Sequence, residues 1–209
     1  MNSEAHFAGS TPPHRAAEID GVSRVLHLAL VMLGVAAWLS GDLAGEHERR
    51  TSLGFVIHSW LGMAAAVAVG LRIVWGVVGP RAARFSSWLP VTRDRLRLVL
   101  EDVQMLLRFR IPERSPREGL AGVVQMIGLL IFTWLAVTGS LLFFGLEPGT
   151  RPGGWLDLVG DLHGIGELLI PAFLAVHVGA TIAHALAGDE RWRIMFFIPP
   201  AEDARRPPQ

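Results

Sequence analysis

Four long apolar runs divide the 209-residue chain: Val25–Leu39, Phe55–Val78, Leu120–Leu146 and Leu162–Ala187. A helix needs about 20 mostly apolar residues to cross a bilayer. The last three runs meet that length. The first meets it when counted as Val22–Ser40, with Arg24 snorkelling to the interface. A lipid environment offers backbone groups no outside partner, so such runs are helices. Charged residues are 18% of the chain and are pushed between the runs, while mean hydropathy is +0.39. The expected fold is an all-α integral membrane four-helix bundle.

Composition narrows the chemistry. The 19 basic and 19 acidic residues cancel, which removes the basic excess a nucleic-acid binder needs. Cysteine is absent, so disulfides, thiolate metal sites, iron–sulfur ligation and thioether-attached haem are excluded. The eight His are the only strong neutral nitrogen ligands.

Every basic residue is Arg, and their distribution sets an expected orientation. Outside the apolar runs, fifteen lie in the first tail through Arg24, in 80–118 and after Gly188; only Arg49, Arg50 and Arg151 lie in the other two connections. Both termini and the connection between helices 2 and 3 are therefore expected in the cytoplasm, in a bacterial inner membrane. Within that connection Leu96, Val99, Leu100, Val103, Leu106 and Leu107 fall at helical spacing among charges, and Thr92 can cap the start. An amphipathic helix on the cytoplasmic face is expected there. Residues 1–20 and 199–209 read as disordered cytoplasmic tails, the first without a cleavable leader. Residues 21–198 form the transmembrane domain. The small residues Gly62, Ala66 and Gly70 repeat at the spacing that permits close helix packing.

Five His stand in or at the ends of the apolar runs: His27, His58, His163, His177 and His184. Intramembrane polar residues are costly and usually functional. His163 and His177 are 14 residues apart, nearly four helical turns, so they share a face and lie about 21 Å apart in depth. No single ion is held by ligands so spaced, whereas two stacked haems fit that separation. Depth then pairs His58 with His163 on an outer haem, and His27 with His177 on an inner one. His184 is a competing partner for His27 by depth, but it would separate the irons by about 31 Å; His177 is preferred, leaving His184 beside the inner haem. The third run carries no His and is expected to be packing scaffold.

Arg72 lies 14 residues after His58, and a buried guanidinium needs an anion. A haem propionate or a quinone would serve, and snorkelling is the alternative. Arg24 admits the same two readings. Gly62, one turn after His58, leaves room for a flat macrocycle or simply packs. Pro171 is expected to kink the fourth helix between the haems.

These residues resemble the bacterial cytochrome b561 family, related to the cytochrome b subunits of nickel–iron hydrogenases. The resemblance runs over about 20–197. It rests on His27, His58, His163 and His177, on Arg72, on His184, on the segment 72–85, and on Arg193 and Met195. Leu28 stands where many members carry Trp. The resemblance implies a four-helix protein with two b-type haems, ligated from helix 1, helix 2 and twice from helix 4.

The leading functional expectation is electron transfer across the membrane, between the quinone pool and a periplasmic redox partner such as a cytochrome c. An alternative is superoxide oxidation coupled to quinone reduction. The two outer connections carry Arg49, Arg50 and Arg151 against six acidic residues, a balance that disfavours an anionic substrate and suits a basic partner. A non-redox anchor subunit ranks last, since it leaves the His pattern without a role. Monomer and homodimer both remain open.

Overall fold

The computed structural model describes residues 19–41, 53–112, 114, 117–146 and 153–198. The tails assigned from sequence fall outside them, apart from Ile19 and Asp20, as do Arg49, Arg50 and Arg151. All regular structure among the described residues is helical: α1 (Gly21–Leu39), α2 (Leu53–Val78), α3 (Phe85–Trp88), α4 (Arg93–Leu107), α5 (Gly119–Gly145), α6 (Trp155–Gly164), α7 (Gly166–Leu186) and α8 (Arg191–Met195). Four segments are long and apolar enough to cross a membrane: α1, α2, α5, and α6 with α7 together over Trp155–Leu186.

The spans pack in sequence order, α1 on α2, α2 on α5, and α5 on α6 and α7, while α7 closes the ring more loosely on α1. The end of the bundle where α1 starts is called proximal here, the other distal. Close approaches occur where a glycine meets a large side chain. Phe132 of α5 lies on Gly34 of α1, and Phe173 of α7 lies on Gly128 of α5. The small residues expected to pack α2 behave differently. A side chain at Gly62 or Gly70 would meet nothing within 4 Å, and the buried positions of α2 are Ala65, Ala68, Val69 and Gly76. Ala66 and Gly70 instead line a cavity of about 590 Å³ between α2 and α5.

The fourth span is interrupted at Ile165, between Gly164 and Gly166. Pro171 lies inside α7. Proline lacks the N–H that would bond the carbonyl of Glu167 and crowds that turn; one turn earlier, Leu168 N and Leu169 N both reach Ile165 O at 3.1 Å.

At the proximal end, local signals become tertiary ties. Asp20 caps α1, accepting from Ser23 N at 2.9 Å, and also accepts from Trp75 Nε1 at 2.9 Å near the end of α2. Thr92 caps α4 as its position implies, accepting from Arg95 N. The apolar stripe of α4 is exposed at Leu96, Leu100, Val103, Leu106 and Leu107, whereas the carboxylate of Asp102 is buried. A helix packed as in a soluble protein has the reverse pattern; this one suits a lipid interface. Asp102 bonds Arg114 Nε and accepts from Leu120 N at 2.9 Å, in the first turn of α5. Arg114 also pairs with Glu101 at 2.9 Å. Its carbonyl accepts from Arg191, which is itself paired with Asp189. The end of the fourth span is thereby tied to the start of the third.

Candidate functional site

Four of the five intramembrane His face one another in two pairs. His58 of α2 and His163 of α6 have ring centroids 6.1 Å apart, toward the distal end. His27 of α1 and His177 of α7 have centroids 6.2 Å apart, toward the proximal end. All four side chains are half-buried. His184 is in neither pair. Its Nδ1 lies 3.8 Å from Asp189 Oδ2, at the end of the span.

The distal pair has a defined protonation pattern. His58 Nδ1 lies 2.9 Å from the carbonyl of Ala37. A carbonyl only accepts, so Nδ1 carries the proton and Nε2 holds a free lone pair. His163 Nδ1 lies 2.9 Å from Thr138 Oγ1. That hydroxyl already donates to Trp134 O at 2.8 Å, so it accepts from His163, and Nε2 again keeps its lone pair. Ser40 Oγ, 3.4 Å from His58 Nδ1, is a further neighbour. An imidazole anchored through one nitrogen and open at the other is the arrangement in which metal-binding His are held. Helix α5 is therefore more than scaffold. It fixes His163 through Thr138, and Gly139 leaves the ring its space, since a Cβ there would lie 3.0 Å from His163 Cε1.

The proximal pair is held differently. His177 stacks on Phe173, centroids 5.4 Å apart and planes 12° from parallel. His27 Nδ1 is buried and has no hydrogen-bond partner among the described residues. Arg72 lies at the same end of α2, its guanidinium over the Phe85 ring at 5.5 Å, with Nη1 buried and unpartnered among those residues. Arg24 is placed on the rim: Nε donates to Ile19 O at 2.8 Å, and the guanidinium lies over Phe197. The side of α2 at Gly62 is open.

Sequence reasoning missed Thr138, Ala37 and Phe173. The carbonyl of Ala37 has no sequence signal. Thr138 and Phe173 had one: an acceptor hydroxyl and an aromatic ring on the helices that flank the His.

Four membrane-crossing helices thus carry two facing imidazole pairs, a class of membrane bundle defined by paired His. The family model described as prokaryotic cytochrome b561 matches residues 18–197. The chain belongs to that family, and is a membrane b-type cytochrome of electron transfer. No curated protein and no solved structure matches it.

Proposed function

We propose that the chain holds two b-type haems, one between His58 and His163 and one between His27 and His177, and carries electrons between the quinone pool and a periplasmic redox partner. The observation that carries this reading is the spacing within the pairs. A metal–imidazole bond is about 2 Å long, so two imidazoles that would share one iron would have ring centres about 6 Å apart. Both pairs are at that distance. The free Nε2 lone pairs of the distal His supply the donor chemistry at that pair.

Haem supplies one-electron redox chemistry when bound. The chain's residues do the rest. Ala37 and Thr138 hold the distal imidazoles in the metal-binding tautomer. Phe173 fixes the plane of His177. Arg72 offers its unpartnered N–H groups to a propionate, in the planar geometry that suits a carboxylate. Along the fourth span His163 and His177 are separated by about 21 Å of helix rise. The Arg distribution supports a cytoplasmic proximal end, which puts the His58/His163 pair on the periplasmic side, facing a partner such as a cytochrome c.

The test is a reduced-minus-oxidised spectrum of the detergent-purified protein with haem counted per chain. Two b-type haems are expected. One haem would break one of the two pairings. None, after expression with added haem precursor, would overturn the reading.

A further inference from the structure

The proximal end of the bundle gathers more positive charge than the haem reading uses. Asp20 stands at its centre. Both of its oxygens are taken by neutral donors: Ser23 N at 2.9 Å, Ser23 Oγ at 2.7 Å and Trp75 Nε1 at 2.9 Å. Two guanidiniums, Arg72 and Arg117, reach the same end of α2 as Asp20: Arg72 lies over Phe85, Arg117 bonds the carbonyl of Ala82, and Asp20 holds Trp75. Among the described residues neither forms a direct ion pair.

Arg117 arrives from the connection before α5, at a backbone φ of 74°. One of its N–H groups donates to the carbonyl of Ala82, in the turn that follows α2. That bond fixes the side chain beneath the end of α2, where Arg72 lies over Phe85. A guanidinium has five N–H donors. Arg117 uses one on Ala82, and Arg72 leaves a buried Nη1 unused. Two like charges beside one carboxylate that already accepts three hydrogen bonds leave a net positive site with open donors. Such a site is stabilised by a further anion, and planar oxyanions match the guanidinium fork.

We infer that Arg117 and Arg72 together form a two-guanidinium site for a carboxylate or phosphate group at the proximal mouth of the bundle, with Asp20 as its built-in counter-charge. The carboxylate source would be a propionate of the His27/His177 haem, which rests on the function proposed above. The phosphate source would be the headgroup of an anionic lipid. In either case Arg117 is a binding residue recruited from outside the spans. Its conformation, in the left-handed region, holds it there.

The experiment uses the full chain in detergent, with Arg117→Gln, Arg117→Lys and Asp20→Asn. Two quantities are read: the midpoint potential of each haem, and phospholipid phosphorus per chain. With a propionate in the site, Arg117→Gln lowers the potential of one haem and leaves the other unmoved. The size is about a tenfold change in its reduced-to-oxidised ratio, equivalent to about 59 mV for one electron. Arg117→Lys restores most of it, and Asp20→Asn shifts the same haem upward. With a lipid phosphate in the site, the potentials stay at wild-type values. Bound phosphorus then falls in Arg117→Gln, recovers in Arg117→Lys and rises in Asp20→Asn. If Arg117→Gln moves neither quantity, the site is overturned. Should that variant fail to fold, Asp20→Asn decides by the same rule, because Asn keeps an oxygen for the cap and for Trp75, and gives up the charge with one acceptor, that of Ser23 Oγ. A protein that holds no haem would fail the proposed function, while the phosphorus measurement would still test the site.

Discussion

His163 Nδ1 donates to Thr138 Oγ1 across 2.9 Å, from the fourth span to the third. The bond sets the tautomer and the angle of the ring. Thr138→Val keeps the shape and removes the acceptor. We expect haem retention at the distal pair to fall about tenfold, within the range for loss of a ligand-orienting partner. Thr138→Ser should keep it. Haem per chain after dilution into haem-scavenging buffer measures the difference.

The pairing itself is separable by substitution. His58→Ala or His163→Ala should remove one haem and leave the other's spectrum and potential in place, and His27→Ala or His177→Ala should do the converse. His184→Ala should keep two haems, because its ring lies toward Asp189 rather than toward His27. A one-haem spectrum in His184→Ala would exchange the roles of His177 and His184.

Two glycines test packing against cofactor space. At Gly34 the ring of Phe132 occupies the position of any added side chain, so Gly34→Leu should destabilise the bundle by about 1–3 kcal/mol, as overpacking does. At Gly62 an added side chain meets no protein atom within 4 Å. Gly62→Leu should therefore leave the apoprotein's thermal transition near wild type while lowering haem content. Equal losses of stability in both variants would refute the difference.

Asp102 is a buried carboxylate with two duties, the ion pair to Arg114 and the acceptor for Leu120 N. Removing one partner of a buried pair strands the other. Asp102→Ala should cost about 3 kcal/mol, at the low end for such a pair, since Arg114 keeps Glu101. Thermal unfolding in detergent reads it directly.

The carboxyl of Asp189 is held below its ordinary value by the hydrogen bonds from Arg191, against the opposing effect of burial. A carboxyl with a depressed folded-state pKa contributes stability above its unfolded value and loses it as pH falls through the folded one. The contribution is thus complete above about pH 3.8, the ordinary value, and is lost below it. Asp189→Asn should lower the melting temperature at pH 6 and flatten its decline toward pH 3. Parallel pH curves for variant and wild type would contradict this.

Much of the architecture is readable in the chain because lipid imposes a simple rule on it. Apolar length alone locates the four spans, and the fixed helical rise turns the 14 residues between His163 and His177 into a depth. The same periodicity locates α4, whose exposed stripe runs through Leu96, Leu100 and Val103. Other features depend on distance in space rather than along the chain. The Ala37 carbonyl reaches His58 because α1 and α2 lie side by side. Thr138 resembles any helical threonine bonded to its preceding turn, and only tertiary packing brings His163 to it. The Gly62, Ala66 and Gly70 spacing permits close packing, yet α2 buries Ala65 and Ala68. A stripe of small residues permits close approach without dictating which neighbour makes it. The break at Ile165 had a local trace in its two flanking glycines.

The bond from Leu120 N to Asp102 has a consequence for the order of assembly. Every membrane helix begins with amides that its own turns leave unpaired. Here the acceptor for one of them lies 18 residues upstream, so the ribosome has made it before the third span exists. That span can close its first turn as it leaves the exit tunnel. The tie from Arg191 to the Arg114 carbonyl, by contrast, can form only when the last span has been synthesised, so it closes the bundle from the other end of the chain.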